Sequence, residues 1–250
     1  MIETWVYAIA SVIGVSLISL IGIFTISINE EKLHKYIHYA VSLSAGALFG
    51  DAFLHLLPEA VEKLGFTIEV SAALMAGILF SFAMEKFIRW NHCHEPTSKD
   101  HPHPFAIMNL VGDAVHNFID GLIIGASFLV SIPLGITTSV AVLFHEIPQE
   151  IGDYAVLIKG GFSKGKALMY NFGSALTAVA GAIIALLIGS SAENIALLLT
   201  PFAAGVFIYI AGSDLIPELH KHEDSKISVI EFIALALGFL MMVALLFLEI

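Results

Sequence analysis

Charge and cysteine are both scarce in this chain. Only 13% of its 250 residues are charged, against about 25% in an ordinary soluble domain. Eleven basic residues stand against twenty-two acidic ones, a formal net charge of -11. A surface rich in Lys and Arg that could follow phosphates is missing, which excludes a nucleic-acid partner. The single cysteine, Cys93, excludes a disulfide framework and a thiolate zinc cluster. What is present is apolar: 58% of residues are hydrophobic and the mean hydropathy is +0.89. That balance excludes a soluble enzyme and a disordered chain. It fits an integral, multi-pass protein whose partner is the lipid bilayer.

A spanning helix needs about 20 mostly apolar residues. Eight such runs lie between the charged clusters, over 4–28, 36–58, 67–88, 104–130, 134–158, 165–190, 194–219 and 227–249. The expected fold is an all-α polytopic membrane protein, a single transmembrane domain over 1–250. The first run opens MIETWVYA with no basic region, which reads as a retained anchor and not a cleaved signal. Basic residues set the direction. With the N-terminus outside, Lys32, Lys35, Lys86, Arg89, Lys99, Lys159, Lys164, Lys166, Lys221 and Lys226 face inward, and only Lys63 faces out. Both termini are therefore expected outside, in the plasma (inner) membrane if the chain is prokaryotic. The longest loop, 89–103, reads RWNHCHEPTSKDHPH and is expected on the cytoplasmic side.

An internal repeat is visible. His55-Leu56-Leu57-Pro58-Glu59 in the second helix matches Asp214-Leu215-Ile216-Pro217-Glu218 in the seventh. His116-Asn117 with Asp120 in the fourth matches His145-Glu146 with Gln149 in the fifth. Both pairs join helices of opposite direction, so the chain reads as a 3+2+3 inverted repeat, an architecture of secondary transporters.

The ionisable residues inside the spans carry the chemistry. Asp113, His116, Asn117 and Asp120 recur at i, i+3, i+4 and i+7, which places them on one helix face. In the fifth helix His145 and Gln149 form one i, i+4 pair, Glu146 and Glu150 the next, and Asp153 lies seven beyond Glu146. Each charge at bilayer depth costs roughly 2.5–3.5 kcal/mol on insertion scales. Such a cluster must face other helices, bind a cation, or line a wet cavity. With no Lys or Arg in the middle of any span, the acidic excess suits a divalent cation. Imidazole, carboxylate and amide oxygen suit Zn²⁺, Fe²⁺, Mn²⁺ or Cd²⁺ and not Cu(I). Pro148 is expected to kink the fifth helix and free the carbonyl of Phe144.

Asp51 and His55 in the second helix, with Asp113, Asp153 and Asp214, mark a route to either side of that cluster. Glu59 and Glu218 read equally well as interfacial caps. In the sixth helix Asn171 and Ser174 could complete a metal shell or simply pack beside glycines. His92, His94, His101 and His103 could collect metal, or belong to a solvated linker.

HNFIDG (116–121) and HEIPQEIGD (145–153), supported by GDAFLHLLPEA (50–60), resemble the Zrt/Irt-like (ZIP) family of divalent-metal transporters over essentially the whole chain. The likeness is to its HExPHE-type subgroup. The resemblance implies import of metal into the cytosol, zinc foremost, with iron, manganese or cadmium as further candidates. It also implies a homodimer and movement of one helix bundle against another. It places one or two ions at mid-membrane: His116, Asp120, His145 and Gln149 around the first, Asn117 and Glu146 around the second, with Asp120 bridging. Gln149 stands where the subgroup has His, and Phe144 replaces a Cys that often precedes the motif. No prosthetic group is implied.

Two other classes compete. One is an intramembrane zinc-dependent hydrolase or protease: a protease needs HExxH, where Gln149 occupies the place of the second His, and a hydrolase built on His116, Asp120 and His145 would need an open coordination position and a water nucleophile. A carboxylate-based proton-coupled antiporter would have no need of His116 and His145.

Overall fold

In the computed structural model the structure describes residues 2–25, 30–92, 103–221 and 224–247. These residues form eight helical rods and no strand. The rod α1 is Ile2–Ser16, continued by a 3₁₀ stretch, Leu17–Thr25. The second, α2, is Glu30–Gly50, a π-helical turn Asp51–Leu56, and Leu57–Leu64. Then come α3 (Ile68–His92), α4 (Pro104–Val130), α5 (Ile132–Lys159) and α6 (Lys164–Ala175, then Thr177–Ile188). The seventh, α7, is Ser191–Tyr209, a π-helical turn Ile210–Leu215, and Ile216–Leu219. Ser225–Leu245 is α8.

Seven of the eight are long and apolar enough to cross a membrane. The exception is α5, which has the length, 28 residues, but carries Glu146, Glu150 and Asp153 along its buried side. The helix stays continuous through Pro148. Beyond Pro58, where the apolar run stops, α2 goes on for another six residues to Leu64. Gly65, at φ +77°, then ends it in a conformation that other residues resist.

Local chemistry sets the helix starts. His103 caps α4, its ring accepting the Phe105 N–H at 3.5 Å, with Pro104 in the first turn. Ser131 alone separates α4 from α5 and caps α5 by accepting the Leu134 N–H at 3.3 Å. So short a connection makes α4 and α5 antiparallel neighbours.

Three helix pairs approach until backbones touch: α2 with α8, α3 with α7, and α4 with α6. In each pair a glycine from both partners makes the approach possible. A Cβ at Gly121 would stand 1.9 Å from the Ala178 carbonyl oxygen, and one at Gly181 would stand 2.1 Å from that of Phe118. Gly46 with Gly238, and Gly77 with Gly205, play the same part in the other two. Against these pairs α5 packs between α4 and α2, where a Cβ on Gly152 would meet Ser44 at 2.6 Å.

The two Pro-Glu segments share their local geometry. In α2 the Leu57 N–H reaches back to the Ala52 carbonyl, and in α7 the Ile216 N–H reaches back to that of Ala211. Each five-residue step falls one residue before Pro58 or Pro217, which have no N–H to give.

Candidate metal centre

The middle of α4 and the middle of α5 meet in a cluster of ionisable side chains. Four of these come together, His116 and Asp120 from α4 and His145 and Glu146 from α5, each with one donor atom within 4.8 Å of the others. His116 Nε2 lies 3.4 Å from Asp120 Oδ2 and 3.4 Å from Glu146 Oε1. His145 Nε2 lies 3.1 Å from Asp120 Oδ2 and 3.9 Å from Glu146 Oε1. The two rings stand edge to face, 5.4 Å apart. His116 is fully buried, and the Phe207 ring of α7 covers it at 4.8 Å.

The other site residues expected from the sequence lie around this group. Gln149 is buried, and neither its amide oxygen nor its nitrogen has a hydrogen-bond partner. Leaving such a group buried and unpaired costs about 1–3 kcal/mol. Asn117 turns its Nδ2 to Asp113, 2.8 Å from Oδ1, and its own oxygen is left unpaired. Glu150 sits apart from the four and accepts a bond from Asn171 of α6. Asp113 also accepts from Ser174, and Asp153 accepts from Asn109 at 2.9 Å.

A cavity of about 440 Å³ reaches the group from the end of the bundle where α4 meets α5. Asp51, His55, Glu59 and Glu62 line it from α2, and Asp120 and His145 form part of its wall. Both Asp51 carboxylate oxygens are buried without a partner. The His55 Nε2 stands 3.0 Å from the Met242 carbonyl. Asp214 is buried in the π turn of α7. Glu59 pairs with Lys63 at 2.9 Å. Glu218 lies 3.7 Å from Lys159 and also contacts Lys221. Of the loop histidines, His92 is the last residue of α3 and His103 caps α4, whereas His94 and His101 lie outside the described residues.

A sequence model described as ZIP zinc transporter matches residues 2–106 and 93–246. The chain belongs to the ZIP family. Relatives span nearly all of it. It is 31% identical to zinc transporter zipt-7.1 of Caenorhabditis briggsae, over 96% of this chain and 79% of that protein. It is 32% identical to zinc transporter ZIP13 of Pongo abelii, over 97% of this chain and 78% of that one. Zinc transporter ZIP10 of Danio rerio is 47% identical over a shorter stretch, 48% of this chain and 14% of that protein.

Two residues of this ZIP protein's centre lie outside the sequence reading. Asn109 extends the polar face of α4 by one more i, i+4 step before Asp113, so its signal was present. Phe207 lies in an apolar stretch of α7 and looks like any core residue. Only the packing of α7 over α4 brings its ring to His116.

Proposed function

We propose that this ZIP protein carries divalent transition-metal ions, Zn²⁺ foremost, across the membrane into the cytosol. It is a transporter and not an enzyme, as its family membership indicates. The observation that carries the reading is the four-residue group. A tetrahedral zinc site with bonds of about 2.0–2.2 Å has edges of about 3.3–3.6 Å between donor atoms. The group offers two imidazole nitrogens and two carboxylate oxygens, separated along four of its edges by 3.1 to 3.9 Å. Two carboxylates supply the two negative charges that a divalent ion neutralises. Three buried polar side chains and the partly buried His145, with so few other partners, are costly without one.

Around that ion the unpaired Gln149 amide is a further oxygen donor for His116, Asp120 and His145. Asn117 and Glu146 are the candidates for a second ion, with Asp120 between the two. Asp51 and His55 form the entrance, since they line the cavity that ends at Asp120 and His145. That end is the outer one by the distribution of basic residues, and both termini share it. Asp113, Asp153 and Asp214 lie on the way onward.

The matching π turns of α2 and α7 support a 3+2+3 inverted repeat. In that arrangement the glycine-bound pairs α2·α8 and α7·α3 are counterparts. We take the chain to work as a homodimer, in the plasma (inner) membrane if it is prokaryotic.

The test is metal uptake into proteoliposomes holding the purified protein, with Zn²⁺, Mn²⁺, Fe²⁺ and Cd²⁺ in competition. Saturable Zn²⁺ uptake that the other ions inhibit supports the reading. Vesicles that take up no more metal than protein-free ones contradict it.

A further inference from the structure

Beyond the four-residue group, the polar column of α4 and α5 continues. Asp113 precedes His116 by three residues, and Glu150 follows Glu146 by four. Because α4 and α5 are antiparallel, both steps lead the same way, toward the Pro104 end of α4 and the Lys159 end of α5. One helical turn on, about 5.4 Å, lies a second buried polar cluster, a chamber only in the sense that its walls are polar, without a histidine of its own.

Its members are Asp113, Glu150 and Asp153, between 0% and 3% exposed. Among the described residues no Lys or Arg pairs with any of the three. Their amide and hydroxyl donors are neutral, and the Asp113 and Asp153 carboxyls also meet each other. Asn117 and Ser174 donate to Asp113, Asn109 donates to Asp153, and Asn171 donates to Glu150. Ser174 also contacts the Asn171 carbonyl at 3.0 Å, so α6 ties Asp113 and Glu150 together. Neutral donors orient carboxylates, but they leave the charge uncompensated.

The chamber also keeps acceptors open. Glu150 Oε1, Asn171 Oδ1 and Asn117 Oδ1 are buried and have no hydrogen-bond partner. Glu150 and Asn171 are entirely enclosed, so water at the surface does not satisfy them. Carboxylate, amide and hydroxyl oxygens on three helices make a donor set that contains oxygen alone.

We propose that Asp113, Glu150, Asn171 and Ser174 form a second, all-oxygen station for a divalent cation, one turn beyond the central group. The inference rests on the reading of that group as the preceding station. Oxygen donors suit Mn²⁺, Mg²⁺ and Ca²⁺, while Zn²⁺ gains more from imidazole. A zinc ion that steps from the central group into this chamber exchanges nitrogen for oxygen and is held less tightly. The chamber is thus a release station for Zn²⁺ and a stronger resting place for Mn²⁺.

Mn²⁺ itself is the probe, because its pulsed electron paramagnetic resonance reports whether nitrogen is bound. Purified protein in nanodiscs is loaded with Mn²⁺ alone. Two bound populations are expected, one coupled to imidazole nitrogen and one without such coupling. The double variant Glu150→Gln/Asp113→Asn, which keeps side-chain shape, should lose the nitrogen-free population and keep the other. His116→Ala/His145→Ala should do the reverse. A nitrogen-free population that is absent from wild type overturns the proposal, and the carboxylates then share protons instead. So does one that survives Glu150→Gln/Asp113→Asn undiminished. Absence of the nitrogen-coupled population from wild type contradicts the central site, a separate failure read from a separate signal.

Discussion

In the proposed function, metal preference turns on Gln149. Its amide is buried with neither end paired, one helical turn after His145 and three residues after Glu146 on α5. It adds an oxygen where a histidine would add a nitrogen, and nitrogen ligands favour Zn²⁺ over Mn²⁺. Gln149→His should raise the Zn²⁺ over Mn²⁺ binding ratio by on the order of tenfold, measured by equilibrium binding to purified protein at fixed pH. Fixed pH matters because the new ring binds metal only when neutral. An unchanged ratio removes Gln149 from the ligand set. In the same proposal Asp51 acts earlier, its unpaired carboxylate in the cavity wall drawing cations in. Asp51→Asn keeps the shape while removing the charge. The apparent KM for uptake should rise by on the order of tenfold, equal to about 1.4 kcal/mol, with a smaller change in maximal rate. A loss confined to the maximal rate places Asp51 at a later step.

Among the elements, glycine decides which helices pack backbone to backbone. The α4·α6 contact leaves no room for a Cβ at Gly121, which would stand 1.9 Å from a backbone carbonyl. Gly121→Val should therefore destabilise the protein by at least the 1–3 kcal/mol or so typical of overpacking, visible as a lower Tm in detergent. Gly173 in α6 has nothing within 4 Å of its Cβ position, so Gly173→Ala should leave Tm unchanged or raise it slightly. Equal effects of the two would show that the close approach is unimportant.

How far these elements can be read from sequence follows from what each depends on. Helix existence rests on apolar length, and the polar column of α4 on 3.6-residue spacing, both of which are local. The α5 helix is the one rod of the eight without a run that meets the length and apolarity of a span, because its buried side carries Glu146, Glu150 and Asp153, so its place in the bundle follows from its chemistry more than from its hydropathy. The π turns of α2 and α7 are a different matter. An added residue within a turn leaves no trace in composition, and only the repeated Pro-Glu segments hint at it. Nor does spacing along one helix reveal that Glu150 turns to Asn171 while Glu146 turns to His116. That division depends on where α6 packs.

At the scale of the whole molecule, the cavity, the four-residue group and the buried acidic chamber follow one another along the bundle. Asp51 and His55 lie at one end, Glu218 with Lys159 and Lys221 at the other. The account requires that ions crossing the membrane pass through the group between α4 and α5. Zinc uptake by proteoliposomes containing wild type or His116→Ala, reconstituted at equal density and checked for folding, tests this most directly. The account predicts saturable uptake by wild type and no more than the protein-free background for the variant. Uptake by His116→Ala at the wild-type rate would contradict it.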